Sequence, residues 1–359
     1  MTFDRAQLER DFRAMIGPLC EAVAPTGFED EAEALVRALL SDTQGLTYET
    51  DDLHNLIVHR PGKGPKVAVV AHLDEIGLIV RHIDDRGFLW IETLAGVQPQ
   101  QLFGKHVVVK TETGHVDGLV NHINPGRPAP CADMPQTLAD FFVDVGASSR
   151  AEAEELGIEV GDPISIQYPT LFLGKDGKMV AGKALDDRAC VYQLIELTRL
   201  LADDPEGPDF YAIFSTQEET GGRGAIVAAD NLRPDMAIAL DMSLSTDLPA
   251  FPGRGFINRI GGGASIKVLD RSRGAACGLI ADRDMVRGMK AVAKERNIPY
   301  QVEAYTAGAT DASVMQTRGG GIRCGGIQIP MRYVHSYEAA AVSDILDSLE
   351  LLYFYVRGL

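Results

Sequence analysis

The short apolar run from Val67 to Ala71, between Lys66 and His72, limits the possible folds more than any other part of the sequence. Continuous apolar runs of this kind are typical of strands buried on both faces, which occur almost only in sheets covered by helices. The run therefore predicts an α/β protein with a central strand that ends at His72. In open α/β sheets, the carboxyl ends of the strands are where ligands bind.

Helix and strand patterns alternate on both sides of this strand. Apolar residues recur at helical spacing over residues 8–19, and a second helix is predicted after Pro25, where Thr26 and Glu29 have the spacing of a capping box. After Gly182, the patterns predict helices near 187–202, 277–296 and 341–357 and strands near 210–216, 236–241, 300–306 and 322–330. These alternations favour an α/β fold in which a mixed sheet is flanked by helices.

Between Gly77 and Met179 the pattern changes to short alternating runs, at 87–92, 105–112, 115–121, 141–146 and 164–173, separated by Gly, Pro and Asp turns. Such runs are typical of a small antiparallel β unit. A chain of 359 residues also suggests about two domains. We therefore predict one domain built from residues 1–76 and 180–359, interrupted by a β-barrel-like domain of residues 77–179.

Charge and cysteine content argue against several classes of protein. The formal net charge of −17 disfavours binding to nucleic acid or to an anionic membrane surface. The five cysteines are odd in number, far apart and without a C-x-x-C pair, which argues against a disulfide framework or a thiolate zinc site; they are Cys20, Cys131, Cys190, Cys277 and Cys324. The N-terminal residues lack the apolar core of a signal peptide, and no run reaches about 18 apolar residues, so we expect a soluble cytoplasmic protein.

Acidic and imidazole side chains cluster at or just after the carboxyl ends of the predicted strands. They are His72 with Asp74 and Glu75, Asp186 with Asp187, Glu218 with Glu219, Asp241, and His335. Taken singly, a strand-end acid such as Asp241 is usually a cap or turn residue, and His335 would more often be an ordinary hydrogen-bonded side chain. Together they have the donors that two divalent metals need, which are imidazoles and carboxylates with one carboxylate able to bridge both ions.

One arrangement assigns His72 to one metal and His335 to the other, divides Glu219 and Asp241 between the ions, and makes Asp186 the bridge. The four carboxylates would repel each other strongly without cations. With metals present, Glu219 can be a ligand while the adjacent Glu218 acts as a general base. Asp74, two residues after His72, could accept the imidazole N–H that the metal does not use. Ordinary charged strand ends remain the alternative interpretation of spacing alone.

Other catalytic motifs are weaker. The turn from Gly221 to Gly224 could hold a phosphate, but it lacks Walker spacing, and a tight turn between strand and helix explains it better. The chain has no G-x-S-x-G nucleophile elbow and no recognisable cysteine nucleophile signature. The sequence therefore predicts water as the attacking group.

These motifs resemble those of the M42 family of dinuclear metalloaminopeptidases, which includes glutamyl aminopeptidases and the tetrahedral TET enzymes. The matching segments are Ala71–Gly77, Gly182–Arg188, Gln217–Gly221 with Arg223–Ala225, Asp241 and Pro330–Ser336, together with residues 24–29, 144–149, 161–162 and 310–312. The resemblance implies an aminopeptidase domain with two zinc or cobalt ions, and manganese is a further option. It also implies that the inserted β domain mediates contacts in a homo-oligomer, with dimers that build dodecamers.

Carried over residue by residue, the resemblance implies metal ligands at His72, Asp186 as the bridge, Glu219, Asp241 and His335, a general base at Glu218 and an orienting acid at Asp74. The expected activity is hydrolysis of the N-terminal peptide bond of short peptides by a metal-bridged water. A related deacylase, amidase or carboxypeptidase stays open, because the pocket decides which amide is cut. A catalytically idle assembly subunit is the other alternative, although none of the six implied ligand and base residues is missing.

Two segments depart from the usual family pattern, namely residues 242–265 and the loop at Gly308, where Ala309 replaces a common glycine. We expect these segments to shape the pocket for the first side chain. Arg254, Arg259 or Arg323 could select an acidic residue by bidentate pairing, although surface ion pairing is the more common role for any one arginine. The preferred first residue therefore stays open.

Overall fold

The computed structural model describes residues 3–122, 135, 137–202, 204, 207–249, 255–271, 278–306 and 308–359. The α-helices are α1 (Arg5–Glu21), α2 (Asp30–Leu40), α3 (Arg150–Glu155), α4 (Leu185–Ala202), α5 (Arg223–Leu232), α6 (Arg283–Arg296), α7 (Asp311–Met315) and α8 (Val342–Arg357). The strands are β1 (Thr47–Thr50), β2 (Leu56–Arg60), β3 (Lys66–His72), β4 (Leu78–Ile83), β5 (Leu89–Thr93), β6 (His106–Thr111), β7 (Gly114–His122), β8 (Phe141–Asp144), β9 (Pro163–Ile166), β10 (Leu171–Leu173), β11 (Met179–Gly182), β12 (Asp209–Ser215), β13 (Met236–Leu244), β14 (Ala264–Leu269), β15 (Tyr300–Ala304), β16 (Arg323–Arg332) and β17 (Glu338–Ala341).

A large mixed sheet forms the main body, as the sequence predicts. Its order is β1-β2-β12-β3-β13-β16-β17-β11-β10, with β14 on β16 and β15 on β14. Strands β12, β3, β13 and β16 are parallel neighbours, whereas β2 and β17 run antiparallel to theirs. Residues Val67 to Ala71 of β3 are fully buried, because helices such as α4 flank the sheet. The apolar run thus places His72 at the carboxyl edge of the parallel strands.

The predicted small β unit is a closed barrel with the strand order β4-β5-β8-β7-β6-β9. It has its own apolar core, which includes Leu78, Val107, Phe141 and Ile164. The single run predicted at 164–173 is instead two strands in different sheets, because Ile164 points into the barrel core while Leu171–Leu173 pairs with β11 in the large sheet. The strands of the barrel therefore lie between residues 78 and 166, and the domain division at 77 and 179 stays a prediction.

The predicted capping box at Thr26 is wrong. Helix α2 begins at Asp30, and its cap residue Glu29 makes no capping hydrogen bond through its side chain. The Thr26 hydroxyl donates instead to the Asp74 carboxylate at 2.8 Å, and Glu29 accepts from the backbone N–H of Gln217 at 3.0 Å. Thr26 and Glu29 therefore do not cap a helix but bind the loops that follow β3 and β12 at the sheet edge.

Helix α6 starts later than predicted. Its first residue is Arg283, because Asp282 caps the helix by accepting from the backbone N–H groups of Asp284 and Met285. The predicted start at residue 277 lies outside the described residues.

The thiols agree with the prediction where the structure describes them. Cys20, Cys190 and Cys324 are free and buried, whereas Cys131 and Cys277 lie outside the described residues. Burial raises the pKa of Cys20 to about 12, so that thiol is unreactive at neutral pH. Among the helices that the structure describes, none is long and apolar enough to cross a membrane.

A buried ion pair joins the barrel to the large sheet. Lys183, which follows β11, lies 2.7 Å from both carboxylate oxygens of Glu75 and also donates to the Ser165 hydroxyl on barrel strand β9 and to the carbonyl oxygen of Ala22. Both charged side chains are nearly inaccessible to solvent. Removing one partner would leave the other as an uncompensated buried charge, which is strongly destabilising.

We expect Lys183→Met to lower the free energy of unfolding by about 3–5 kcal/mol, since Glu75 would remain buried without its cation. The double variant Lys183→Met with Glu75→Gln should recover part of that loss because no charge is then buried. Urea denaturation curves of the three proteins measure both effects. Equal stability of the single variant and the parent would contradict this account of the junction.

Candidate metal centre

The predicted site residues come together at the carboxyl edge of the large sheet. His72 ends β3, Asp241 lies within β13, and Glu218 and Glu219 follow β12. Asp186 lies in the first turn of α4, and His335 lies between β16 and β17. The parallel register of β3, β12 and β13 explains this convergence, since their carboxyl ends meet at one edge.

Asp186 lies between the two imidazoles. Its Oδ1 is 3.2 Å from Nε2 of His72, and its Oδ2 is 3.8 Å from Nε2 of His335. The same Nε2 of His335 is 3.2 Å from Oε1 of Glu219. Ligand atoms of His72, Asp186 and Glu219 all lie within 4.8 Å of one another, as do those of Asp186, Asp187 and Asp241. The two carboxylate oxygens of Asp186 therefore lie towards different imidazoles, one towards His72 and the other towards His335.

The charges at this edge fit divalent cations. Burial and the adjacent Asp186 carboxylate raise the pKa of Asp241 well above its usual range. Burial would lower the pKa of His335, but the Glu219 and Asp186 carboxylates outweigh it and raise the pKa to about 10. These shifts arise because several buried carboxylates share a small volume, and cations held among them would remove the repulsion. Imidazole and carboxylate donors with one shared carboxylate are also what zinc, cobalt and manganese accept.

Asp74 holds the loop that carries the two glutamates. Its carboxylate accepts the backbone N–H groups of Glu218 at 3.0 Å and Glu219 at 3.1 Å, and the Thr26 hydroxyl at 2.8 Å. Although burial opposes it, hydrogen bonding to His72 and these donors holds the pKa of Asp74 below its usual value. The ring atom Nδ1 of His72 is closer to the Asp74 carbonyl oxygen, at 3.0 Å, than to its carboxylate, at 3.4 Å. Asp74 thus contacts the imidazole mainly through its backbone and positions Glu218 and Glu219 through its side chain.

Glu338, which was not singled out from the sequence, holds backbone groups on the other side of the site as Asp74 does on its side. Its buried carboxylate accepts the backbone N–H of Asp186 at 2.9 Å and that of His335 at 2.8 Å. One side chain on β17 therefore fixes the backbone of two predicted ligands. The signal available in the sequence was an acid three residues after His335, at the start of a run of alanines.

A loop of the barrel touches His335. Gly96 lies between β5 and β6, and a Cβ atom built on it would lie 2.6 Å from Nδ1 of the His335 ring. Because contacts that short do not occur, only glycine fits here without displacing the ring or the loop. The inserted barrel therefore supports one of the predicted ligands.

A cavity of about 500 Å³ opens beside these residues and is lined by Asp186, Glu218, Glu219, Asp241 and His335. Met242 and Leu244 of one divergent segment line it, as do Gly308 and Ala309 of the other, so both segments contribute to the pocket wall. Lys267 and Gln328 also line it and were not singled out from the sequence.

Arg259 and Arg323, two of the arginines considered as selectors, do not line this cavity. Arg323 pairs with Asp282 at 3.2 Å, and exposed Arg259 bonds to Gln301 through its backbone. Neither arginine is placed to select the first side chain, because Arg323 begins β16 at the opposite end from the site and Arg259 is exposed to solvent. The ion pair of Arg323 is the surface role that the sequence analysis gives as the more common one. Arg254 lies outside the described residues.

The family described as M42 glutamyl aminopeptidase matches residues 54–351. A curated relative named lysyl aminopeptidase, from Pyrococcus furiosus, is 35% identical over 84% of this chain and 84% of its own length. The structure of aminopeptidase APDkam598 from Desulfurococcus kamchatkensis superposes with a TM-score of 0.90 at 31% identity, over 99% of this chain and 96% of that one. The TET1 peptidase of Pyrococcus horikoshii, described as assembling into a tetrahedron or a large octahedral shell, gives a TM-score of 0.83 at 27% identity over 99% and 100%.

We expect Glu338→Gln to weaken zinc affinity by about 10–100-fold, because the amide keeps one acceptor oxygen and turns an N–H group towards one of the two backbone donors. Zinc content after equilibration in buffered zinc measures the change. Glu154→Gln, the same substitution at an exposed position on α3, is the matched control and should bind zinc as the parent does. Unchanged zinc affinity in Glu338→Gln would show that the two backbone contacts do not position the ligands.

Proposed function

Because the chain belongs to the M42 peptidase family, we propose that it is a metal-dependent aminopeptidase that removes the first residue of short peptides. One observation carries this proposal, namely that two imidazoles and several buried carboxylates converge around Asp186 at the wall of a cavity large enough for an amino-acid side chain. A site of this kind suits amide hydrolysis by water, since it offers cation ligands and a free acid together.

The residues that would hold the metals are His72 and His335, with Asp186 shared between two ions and Glu219 and Asp241 as the remaining ligands. The distances from Asp186 to both imidazoles support the shared role. Two divalent ions bound there would lower the pKa of water and polarise the scissile carbonyl. Zinc and cobalt suit these donors, and manganese accepts them as well.

Glu218 acts as the general base in this proposal. It lines the cavity next to Glu219 and is held by the hydrogen bond from its backbone N–H to Asp74. Burial and the carboxylates of Asp241 and Asp311 raise the pKa of Glu218 well above its usual range, and cations bound nearby would lower it. The ionised carboxylate takes a proton from the attacking water and passes it to the departing amine.

The carboxylates at the cavity wall also explain why cleavage would stop at the first residue. A free α-amino group that is protonated would be attracted to carboxylates such as Asp186, Glu219 or Asp241, and one that is neutral could give its lone pair to a metal ion held there. A blocked amine offers neither. The same geometry therefore disfavours an N-acylated substrate.

A homo-oligomer is the second part of the proposal. The barrel leaves large apolar side chains exposed, including Leu119 at 58% and Val160 at 60% of their surface. Side chains of this kind mark contact surfaces when they are contiguous. The assemblies described for the Pyrococcus horikoshii relative support the same interpretation. Light scattering of the purified protein should give a mass of at least twice 38.8 kDa, and a mass of one chain would contradict the homo-oligomer.

Hydrolysis of aminoacyl-p-nitroanilides and of their N-acetylated forms tests the proposed activity. The protein is stripped of metal and then supplied with zinc, cobalt or manganese. We expect release only from free-amine substrates and only with metal present. Release confined to the acetylated substrates would replace the aminopeptidase by a deacylase, and the absence of release from either set would favour an idle subunit.

Glu218→Gln should keep its metal content and lose about 10²–10⁴-fold in kcat, since the amide cannot accept the proton while the proposed ligands are unchanged. Metal analysis and steady-state kinetics on the same preparation separate the two effects, with Glu154→Gln as the matched control. Activity close to that of the parent would rule out Glu218 as the base.

A further inference from the structure

A narrow cleft between the barrel and the large sheet borders the predicted metal ligands. It has a volume of about 20 Å³. Asp186, Glu219 and His335, here called the shared ligands, line both this cleft and the large cavity. Half-exposed Gln101 and Tyr168 line the cleft as well, so it extends from the protein surface to the shared ligands. The shared ligands therefore border two spaces of very different size.

The size of the cleft decides which molecules can enter it. One water molecule needs about 10–15 Å³ of space of this kind. The cleft, at about 20 Å³, therefore admits a water molecule, whereas an amino-acid residue is too large for it. The cavity of about 500 Å³ can hold a residue of a peptide. The two spaces thus fit different molecules at the same set of ligands.

Contacts between the barrel and the large sheet keep the cleft narrow. The ring of Tyr168, which follows barrel strand β9, stacks on that of Tyr337 with the ring centroids 4.5 Å apart. The Tyr337 hydroxyl donates to the carbonyl oxygen of Pro169 at 2.6 Å. The buried pair of Lys183 and Glu75 also lines the cleft and is bonded to the barrel through Lys183. The cleft could not widen enough for a peptide without breaking these contacts.

Polar groups along the cleft can bind a water molecule. Each carboxylate oxygen of Glu338 accepts one backbone N–H and keeps a second lone pair. The hydroxyl of Ser336, next to His335, can both donate and accept. A buried water typically makes about three hydrogen bonds, and the groups that line this cleft supply them.

Amide hydrolysis gives such a cleft a use. Each cleaved bond consumes one water molecule, whose OH group joins the acyl carbon while its remaining proton is passed to the departing amine. A peptide in the large cavity fills the space through which solvent would otherwise reach the shared ligands. Water that arrives by a separate and narrower route can be present while the peptide is bound.

We propose that the cleft is a water site and a water passage, which brings solvent to the shared ligands while a peptide occupies the large cavity. This inference rests on the proposed aminopeptidase function. Water enters beside Gln101 and Tyr168, binds at Ser336 and Glu338, and reaches the shared ligands from there. The barrel thus forms one wall of the passage and excludes everything larger than water from it.

Water relaxation in the manganese-loaded protein tests the passage. Manganese(II) accepts the same donors as zinc, but it is paramagnetic and enhances the relaxation of water protons that exchange close to it. Zinc is diamagnetic and gives the baseline. A leucyl-leucine analogue with a reduced, non-hydrolysable bond fills the large cavity. We expect the parent protein to keep its enhancement when it is saturated with the analogue, and a fall to the zinc baseline would overturn the inference.

Two substitutions should close the passage from its two walls. Ile76→Phe enlarges a half-exposed side chain after β3, and Ile166→Phe enlarges one on barrel strand β9; both positions line the cleft. Each variant should lose the enhancement with the analogue bound and keep it without the analogue, because the open cavity then admits water. A distorted metal centre would change both states, so the dependence on the analogue identifies a closed passage.

Ile280→Phe is the matched control, since it is the same substitution at a side chain that is 72% exposed. It should behave as the parent does with and without the analogue. Enhancement that persists with the analogue bound in both Ile76→Phe and Ile166→Phe would overturn the inference.

Cleavage of leucyl-p-nitroanilide by the same preparations separates this inference from the function on which it rests. Enhancement that the parent keeps with the analogue bound, and that the two cleft variants lose, supports the passage even if no substrate is cleaved; that result would refute the aminopeptidase alone. A parent that cleaves the substrate but loses its enhancement on binding the analogue overturns the passage alone. No enhancement in the parent, even without the analogue, would refute both.

Discussion

The crowding of buried carboxylates at the carboxyl edge of the large sheet is the constraint on which the rest of the site depends. Ligand oxygens of Asp186, Asp187 and Asp241 are close enough to bind a single ion. Glu218 and Glu219 follow strand β12 at the same edge. Such a group repels itself strongly in a low-dielectric setting unless cations neutralise it. Two other buried acids accept hydrogen bonds from backbone N–H groups of the site residues and hold them in place. Asp74 holds the loop of Glu218 and Glu219, and Glu338 holds Asp186 and His335.

The site therefore has two kinds of side chain, those that face the cavity and those that hold the backbone behind them through hydrogen bonds. The division extends to the inserted barrel, whose Gly96 lies against His335 while Ser165 helps to bind the Lys183 and Glu75 pair. The barrel is therefore part of the support for the site. At the far wall of the cavity, buried Glu303 on β15 accepts hydrogen bonds from Asn258 and Ser265 and pairs with Lys267, which holds that side chain in place.

The parts of the fold and of the site that depend on neighbouring residues in the sequence could be predicted from it. The run from Val67 to Ala71 predicts a buried strand because every residue in it is apolar, and the strand-end acids and imidazoles follow from it. The prediction at Thr26 was wrong because a hydroxyl three residues before a glutamate is also the pattern of a helix cap. The partner of this hydroxyl, Asp74, is brought close only by folding. Lys267 was missed because its partner Glu303 is distant in the sequence. Glu338 has one partner nearby, His335, but its contact with Asp186 spans 152 residues, so the sequence does not show that it holds both.

The order in which the site residues occur along the chain has a consequence for synthesis on the ribosome. His72 emerges early, but Asp186, Glu219 and Asp241 follow only after the whole barrel has been made, and His335 and Glu338 come later still. A nascent or truncated chain thus carries carboxylates without the second imidazole or the residue that fixes it. A copy that ends before residue 338 cannot assemble the full set of groups, so the cavity is complete only after the chain as far as β17 has been made and has folded.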